Sequence, residues 1–133
     1  NQLRHVRFLK DSDTLSAHMS RHAALLKPRF DAVLGTLERE LADSGMGSWT
    51  TPQGGYFVSF DALPGLASEI VALAGNVGVK LTPAGATFPY GKDPDNRNIR
   101  LSPSFPAQDD VQASVDVFVL CVKIASIKQR LSR

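Results

Sequence analysis

The sequence is short of cysteine, histidine and long apolar runs, and each shortage excludes something. There is one cysteine, Cys121, so no internal disulfide and no cysteine-based zinc site can form. Cys121 lies in an apolar stretch, so it is expected to be a small buried hydrophobe in a protein of the reducing cytoplasm. The longest apolar block, residues 115–122, is interrupted by Asp116. It is far below the ~18 apolar residues that a transmembrane helix needs, so no membrane-spanning helix is expected. Charge of one sign is also scarce. Fifteen Lys and Arg stand against thirteen Asp and Glu, a net of +2. The only basic cluster is Lys123, Lys128, Arg130 and Arg133, at the end of the chain. A nucleic-acid protein would show a basic stripe with aromatics among it, so no nucleic-acid partner is expected. Cations at a helix C-terminus complement the macrodipole, and that is the reading of this cluster.

Familiar catalytic signatures are missing too. There is no Gly-x-Gly-x-x-Gly, no Walker loop and no Gly-x-Ser-x-Gly. His18 and His22 are four apart and share a helix face, but no Glu lies between them as in a zinc-protease helix. Two partly exposed helix histidines are expected. Asp93-Pro-Asp-Asn96 has oxygen ligands but lacks the Gly and distal Glu of a calcium loop, so it reads as a turn.

What is present is a globular composition, 43% hydrophobic and 21% charged in 133 residues, enough for one folded unit with a core. Position 1 is Asn, no signal peptide opens the chain, and residues 1–8 read as the inside of a helix. The expectation is a piece of a longer protein. Residues 14–42 place Leu15, Met19, Ala23, Leu26, Phe30, Val33, Leu37 and Leu41 on one helical stripe. Pro28 should kink that helix or restart it. A helix of roughly 30 residues spans about 45 Å, which suggests a strut between domains.

Residues 48–51 and 56–60 flank a Pro/Gly turn and read as a strand pair. Residues 66–76 read as a helix, 79–82 as a short strand, 83–97 as a long loop and 98–102 as another strand. Residues 106–131 read as the last helix, although Val115, Val117, Val119 and Val122 leave a strand as an alternative. The sum is an α/β (α+β) sandwich, a small three- or four-stranded sheet packed with helices after a long connecting helix. The expected division is 1–44 for the Pro-kinked connecting helix and 45–133 for the α/β small domain.

One residue stands out. Arg100 sits in the apolar strand Ile99-Arg100-Leu101, just after the long loop. Such a residue either faces out of the sheet or is buried with a partner. In the second case its planar, always-charged fork suits a carboxylate, held by two parallel hydrogen bonds.

Three segments in order bear on that choice. They are Pro52-Gln-Gly-Gly-Tyr-Phe57, then Gly78-Val-Lys-Leu-Thr-Pro-Ala-Gly85 with Phe88, then Asn98-Ile-Arg-Leu-Ser-Pro-Ser-Phe105. Together they resemble the C-terminal part of fold-type I pyridoxal-phosphate aminotransferases. In that family a P-x-G-G-x-F strand, a glycine-valine strand with its Pro-Gly loop and an I-R-L strand follow one another. A long helix precedes them and a terminal helix follows. The wording is closest to the bacterial aspartate-aminotransferase-like branch. The resemblance implies that Arg100 binds the substrate α-carboxylate. It also implies that Phe57 and the backbone of Gly55 line the substrate pocket, and that Phe88 belongs to a loop that approaches on closure.

The resemblance further implies pyridoxal 5'-phosphate, an amino-acid and 2-oxo-acid substrate pair, an N-terminal large domain of the same chain, and a homodimer. The aspartate or another dicarboxylic amino acid with 2-oxoglutarate is the implied pair. None of the lysines here stands in a matching Schiff-base motif, so the fragment alone is expected to be inactive and to bind no cofactor. A free-standing α/β amino-acid-binding or regulatory module, without catalysis, is the alternative. A related enzyme on the same fold is a third reading, because fold does not fix reaction.

Overall fold

The structure, a computed structural model, describes residues 1–132; Arg133, the last of the basic cluster, lies outside them. It opens with helix α1 (Gln2–Leu9), none of whose residues is buried. Lys10 then turns to a positive φ of 52°, which ends the helix. Asp11 is extended, and its carboxylate accepts the Thr14 N–H at 2.8 Å. That N-cap starts α2 (Ser12–Leu41), a helix of 30 residues. The helix continues past Pro28 without a restart. Only its second half is covered: Val33, Thr36, Leu37 and Leu41 are buried, whereas Leu15 and Met19 are 42% and 57% exposed. The apolar stripe read from the sequence is therefore longer than the core it meets here.

Three strands follow, β1 (Gly47–Trp49), β2 (Val58–Ala62) and β3 (Asn98–Leu101). They form one antiparallel sheet in the order β1-β2-β3. The first two fall at slightly different bounds from the expected 48–51 and 56–60. The pairing explains the shift at β1. Gly47 lies opposite Ala62 and so close to the Phe60 ring that a Cβ there would collide with it. Only glycine lets the two strands meet in this register.

The expected strand at 79–82 does not form. The Val79 N–H is taken by the Ala74 carbonyl at 2.9 Å, closing the end of helix α3 (Ala67–Asn76). Pro83, just beyond, has no N–H to give. The segment runs near the free side of β3 without joining the sheet. A cavity of about 340 Å³ is left there, lined by Val79, Leu81, Arg100, Ser102, Val111 and Phe118. The sheet thus has three strands, the lower of the two numbers expected.

Helix α3 has no capping side chain of its own. Asn96, at a φ of 45°, serves instead. Its side-chain oxygen accepts the Ser68 N–H at 3.1 Å and the Ser68 hydroxyl at 2.7 Å. Helix α4 (Gln108–Leu131) closes the chain, so the strand alternative for its valine-rich middle is not taken. Val111, Val115, Phe118, Val122 and Ala125 form its buried face. Phe118 meets Phe60 edge-on at 5.0 Å between ring centroids. Fully burying an aromatic of this size stabilises by about 1.5–3 kcal/mol, so this pair anchors sheet to helix. Glu40 and Lys123 bridge α2 and α4 at 2.7 Å. Lys123, and after it Arg39, holds the Glu40 carboxyl below its usual range. Cys121 is buried as expected, and burial pushes its thiol up.

Candidate functional site

Alternation along β2 and β3 gives the sheet two unlike faces. Val58, Phe60, Ala62, Ile99 and Leu101 point into the core and are at most 6% exposed. Ser59, Asp61, Asn98 and Arg100 point the other way and are half-buried. Arg100 pairs across the sheet with Ser59, and Asn98 with Asp61.

Arg100 stands over the Phe57 ring, its guanidinium carbon 4.5 Å from the ring centroid. A cation over an aromatic face is worth about 0.5–1 kcal/mol at a site open to water. The Arg100 Nε is buried and donates to nothing among the described residues. Among the described residues no carboxylate forms an ion pair with Arg100. The geometry combines both sequence readings: Arg100 does face away from the core, and it is still partly sheltered, with free donors. A buried donor left without a partner costs about 1–3 kcal/mol, a cost that an incoming carboxylate would remove.

Of the residues that the resemblance assigns to one site, Phe57 lies against Arg100. Gly55, two residues earlier, lies in an exposed turn at a φ of 89°. That turn borders a second cleft of about 740 Å³ against Met19, His22, Leu26 and Phe30 of α2. Phe88 does not stack on Arg100 in this structure. Its backbone N–H donates to the Gly85 carbonyl at 2.9 Å, which makes a tight turn. A Cβ at Gly85 would collide with the Gly91 carbonyl, so the loop folds back on itself there.

The loop is tied to the sheet beside Phe88. The Thr87 hydroxyl donates to the Asn98 side-chain oxygen at 2.7 Å. The Asn98 amide donates to Ser59 Oγ at 2.9 Å and to Asp61 Oδ1 at 2.7 Å. The Asp93 carboxylate accepts the backbone N–H of Asn98 at 2.7 Å, of Arg97 at 2.8 Å and of Asp95 at 3.1 Å. Those donors, Asn98 first, hold the Asp93 carboxyl below its usual range. The stretch 93–96 is thus the turn the sequence suggested. Sequence reasoning passed over Ser59, Asp61, Thr87 and Asn98. The signal was available in the alternation of Ser59 and Asp61 with Val58 and Phe60, and of Asn98 and Arg100 with Ile99 and Leu101.

Other candidates sit elsewhere. The His18 and His22 rings lie 6.0 Å apart, between Phe8 and Tyr56. A Schiff-base lysine is ordinarily desolvated in a sheltered pocket. Lys27, Lys123 and Lys128 are in ion pairs, and Lys10, Lys80 and Lys92 are exposed.

Known proteins resemble this chain over nearly its whole length. The family model for aspartate aminotransferase matches residues 1–133, so the chain belongs to the aspartate aminotransferase family. An aspartate aminotransferase of Corynebacterium glutamicum is 43% identical over 126 residues, which are 95% of this chain and 29% of that protein. The crystal structure of an aspartate transaminase from the same species superposes with a TM-score of 0.92. It is 41% identical over 96% of this chain and 30% of that one. An α-aminoadipate aminotransferase from Thermus thermophilus shares the fold at a TM-score of 0.73 and 23% identity, over 90% of this chain and 29% of its own. The chain spans about three-tenths of the length of these relatives.

Proposed function

We propose that this chain is the substrate-clamping, C-terminal part of a pyridoxal-phosphate-dependent aminotransferase. Its substrates are aspartate or another dicarboxylic amino acid, with 2-oxoglutarate as the acceptor. The observation that carries this reading is Arg100: sheltered, stacked on Phe57, free of any carboxylate among the described residues, and left with an unpartnered buried Nε. A planar guanidinium in that state takes a carboxylate with two parallel hydrogen bonds, which fix its orientation as well as its position. The stacking on Phe57 keeps the fork from swinging. Gly55 and Phe57 border the bound substrate, and the loop carrying Phe88 moves toward it when the domain closes and water is excluded.

The cofactor supplies the electron sink for the chemistry at Cα. Since none of the lysines here stands in a matching Schiff-base motif, the cofactor pocket belongs to the large domain of the parent protein, a cytoplasmic homodimer. Residues 1–44 are the connecting region and 45–133 the small domain. Half of α2 exposes its apolar stripe, which suits a strut that meets that larger part.

The test is Arg100→Ala in the full-length enzyme. Removing one partner of a desolvated charge pair costs about 2–5 kcal/mol, so kcat/KM should fall at least several tens-fold with the cofactor still bound. A near-normal kcat/KM would sink the assignment. The 133 residues alone should show no transamination when mixed with pyridoxal phosphate, and turnover there would show the chemistry misplaced.

A further inference from the structure

The three strands carry one basic residue, Arg100, and one acidic residue, Asp61, and both project from the same face. Asp61 lies opposite Asn98, two residues from Arg100 along β3. The two charges are therefore diagonal neighbours across an antiparallel pair. Such neighbours lie about 7–8 Å apart at the backbone, within reach of a long side chain. Arg100 has a second diagonal neighbour on the other side, Phe57, and that is the one it covers. A half-buried arginine offered a carboxylate and an aromatic ring would ordinarily take the carboxylate. Here it does not, and Asp61 instead accepts the Asn98 amide at 2.7 Å.

We propose that Asn98 is a positioning residue that holds Asp61 away from Arg100, so that the guanidinium stays free for the carboxylate of the substrate. The role rests on the carboxylate-binding reading of Arg100. Asn98 suits it because an amide is neutral and two-sided. Its NH2 group engages Asp61 and Ser59, the residue paired with Arg100, while its oxygen takes the Thr87 hydroxyl. One side chain thereby occupies the competing anion and anchors the loop next to Phe88. A lysine or arginine in its place would hold Asp61 more strongly but would set a second cation beside Arg100. An acid would add a second competitor.

The consequence is competition. With the amide gone, Asp61 can turn along the diagonal and pair with Arg100, and the substrate must displace it. In the full-length holoenzyme, Asn98→Ala should raise KM for the amino-acid substrate by up to about fivefold, the upper end for a partly exposed ion pair, with kcat within about twofold. The double variant Asn98→Ala/Asp61→Asn should bring KM back to within about twofold of the original value. Asp61→Asn alone should leave KM nearly unchanged. A merely structural Asn98 would give a defect that removing its own hydrogen-bond partner deepens or leaves alone. Asn98→Thr, which keeps a strand-favouring residue without the amide, provides the same comparison should the alanine variant not fold.

An unchanged KM in the Asn98 variants, or a raised KM that Asp61→Asn does not relieve, overturns the role of Asn98. Arg100→Ala separates that result from failure of the underlying reading. If Arg100→Ala is crippled while the Asn98 variants are normal, only the role of Asn98 falls. If Arg100→Ala is itself near normal, the carboxylate-binding reading falls with it.

Discussion

The two faces of the sheet differ in nearly every physical respect. The core face carries Val58, Phe60, Ala62, Ile99 and Leu101 and is dry, with Phe60 wedged between Trp49 and Phe118. The opposite face carries Ser59, Asp61, Asn98 and Arg100, cross-linked by hydrogen bonds to a loop that has no regular structure over most of its length. The same two strands supply both, because successive side chains point in opposite directions. Dispersion and water exclusion order the first face. Directional hydrogen bonds order the second and leave one guanidinium with unsatisfied donors. Stability should therefore reside on one face and ligand recognition on the other, with little crossover.

Substitutions can break that division if it is wrong. The largest effect on folding should come from Phe60→Ala, which opens a cavity beside Phe118. Such changes cost about 3–5 kcal/mol, and urea denaturation should show a loss in that range. A loss below about 1 kcal/mol would mean that the core is centred elsewhere. Next in size, and on the other face, Arg100→Lys should keep the fold and the Tm but lower kcat/KM by about tenfold or more. A point charge cannot reproduce the bidentate fork. A fall in Tm as large as that of Phe60→Ala would place Arg100 on the structural side of the division.

The smallest effect belongs to Asp93→Asn. The Asp93 carboxyl is held below its usual range chiefly by the Asn98 N–H. Its hydrogen bonds therefore favour the folded loop above the ordinary carboxylate pKa of about 3.9, and that advantage fades as pH falls through the lower folded value. Hydrogen exchange at neutral pH should quicken at the Arg97 and Asn98 amides in Asp93→Asn. The difference from the unsubstituted protein should shrink toward acid pH. An unchanged exchange rate at neutral pH would show that the loop is ordered by other contacts.

Much of this was legible in the sequence. The 3.6-residue period fixed α2 and α4, and the Gly and Pro positions marked most ends. The three aminotransferase-like segments pointed to Arg100 and Phe57 before any geometry was known. What escaped had physical causes. The apolar residues of 79–82 look like a strand, but the Val79 N–H goes to the Ala74 carbonyl and Pro83 removes another donor. The stripe at Leu15 and Met19 looks like core, yet periodicity says which face is apolar and not what covers it. Asn98 looked like an ordinary strand polar residue, and Asp61 fell just beyond the expected strand 56–60, although β2 runs on to Ala62. Their meaning depends on register, which pairs them across β2 and β3 and cannot be read from either segment alone.

The most direct test concerns binding without chemistry. The affinity of an unreactive dicarboxylate should be measured for the cofactor-loaded, full-length enzyme and for its Arg100→Ala variant, with Tm recorded for both. If Arg100 clamps the carboxylate, Kd rises at least several tens-fold, matching about 2–5 kcal/mol, while Tm stays within a few degrees. Equal affinity in the two proteins would contradict it.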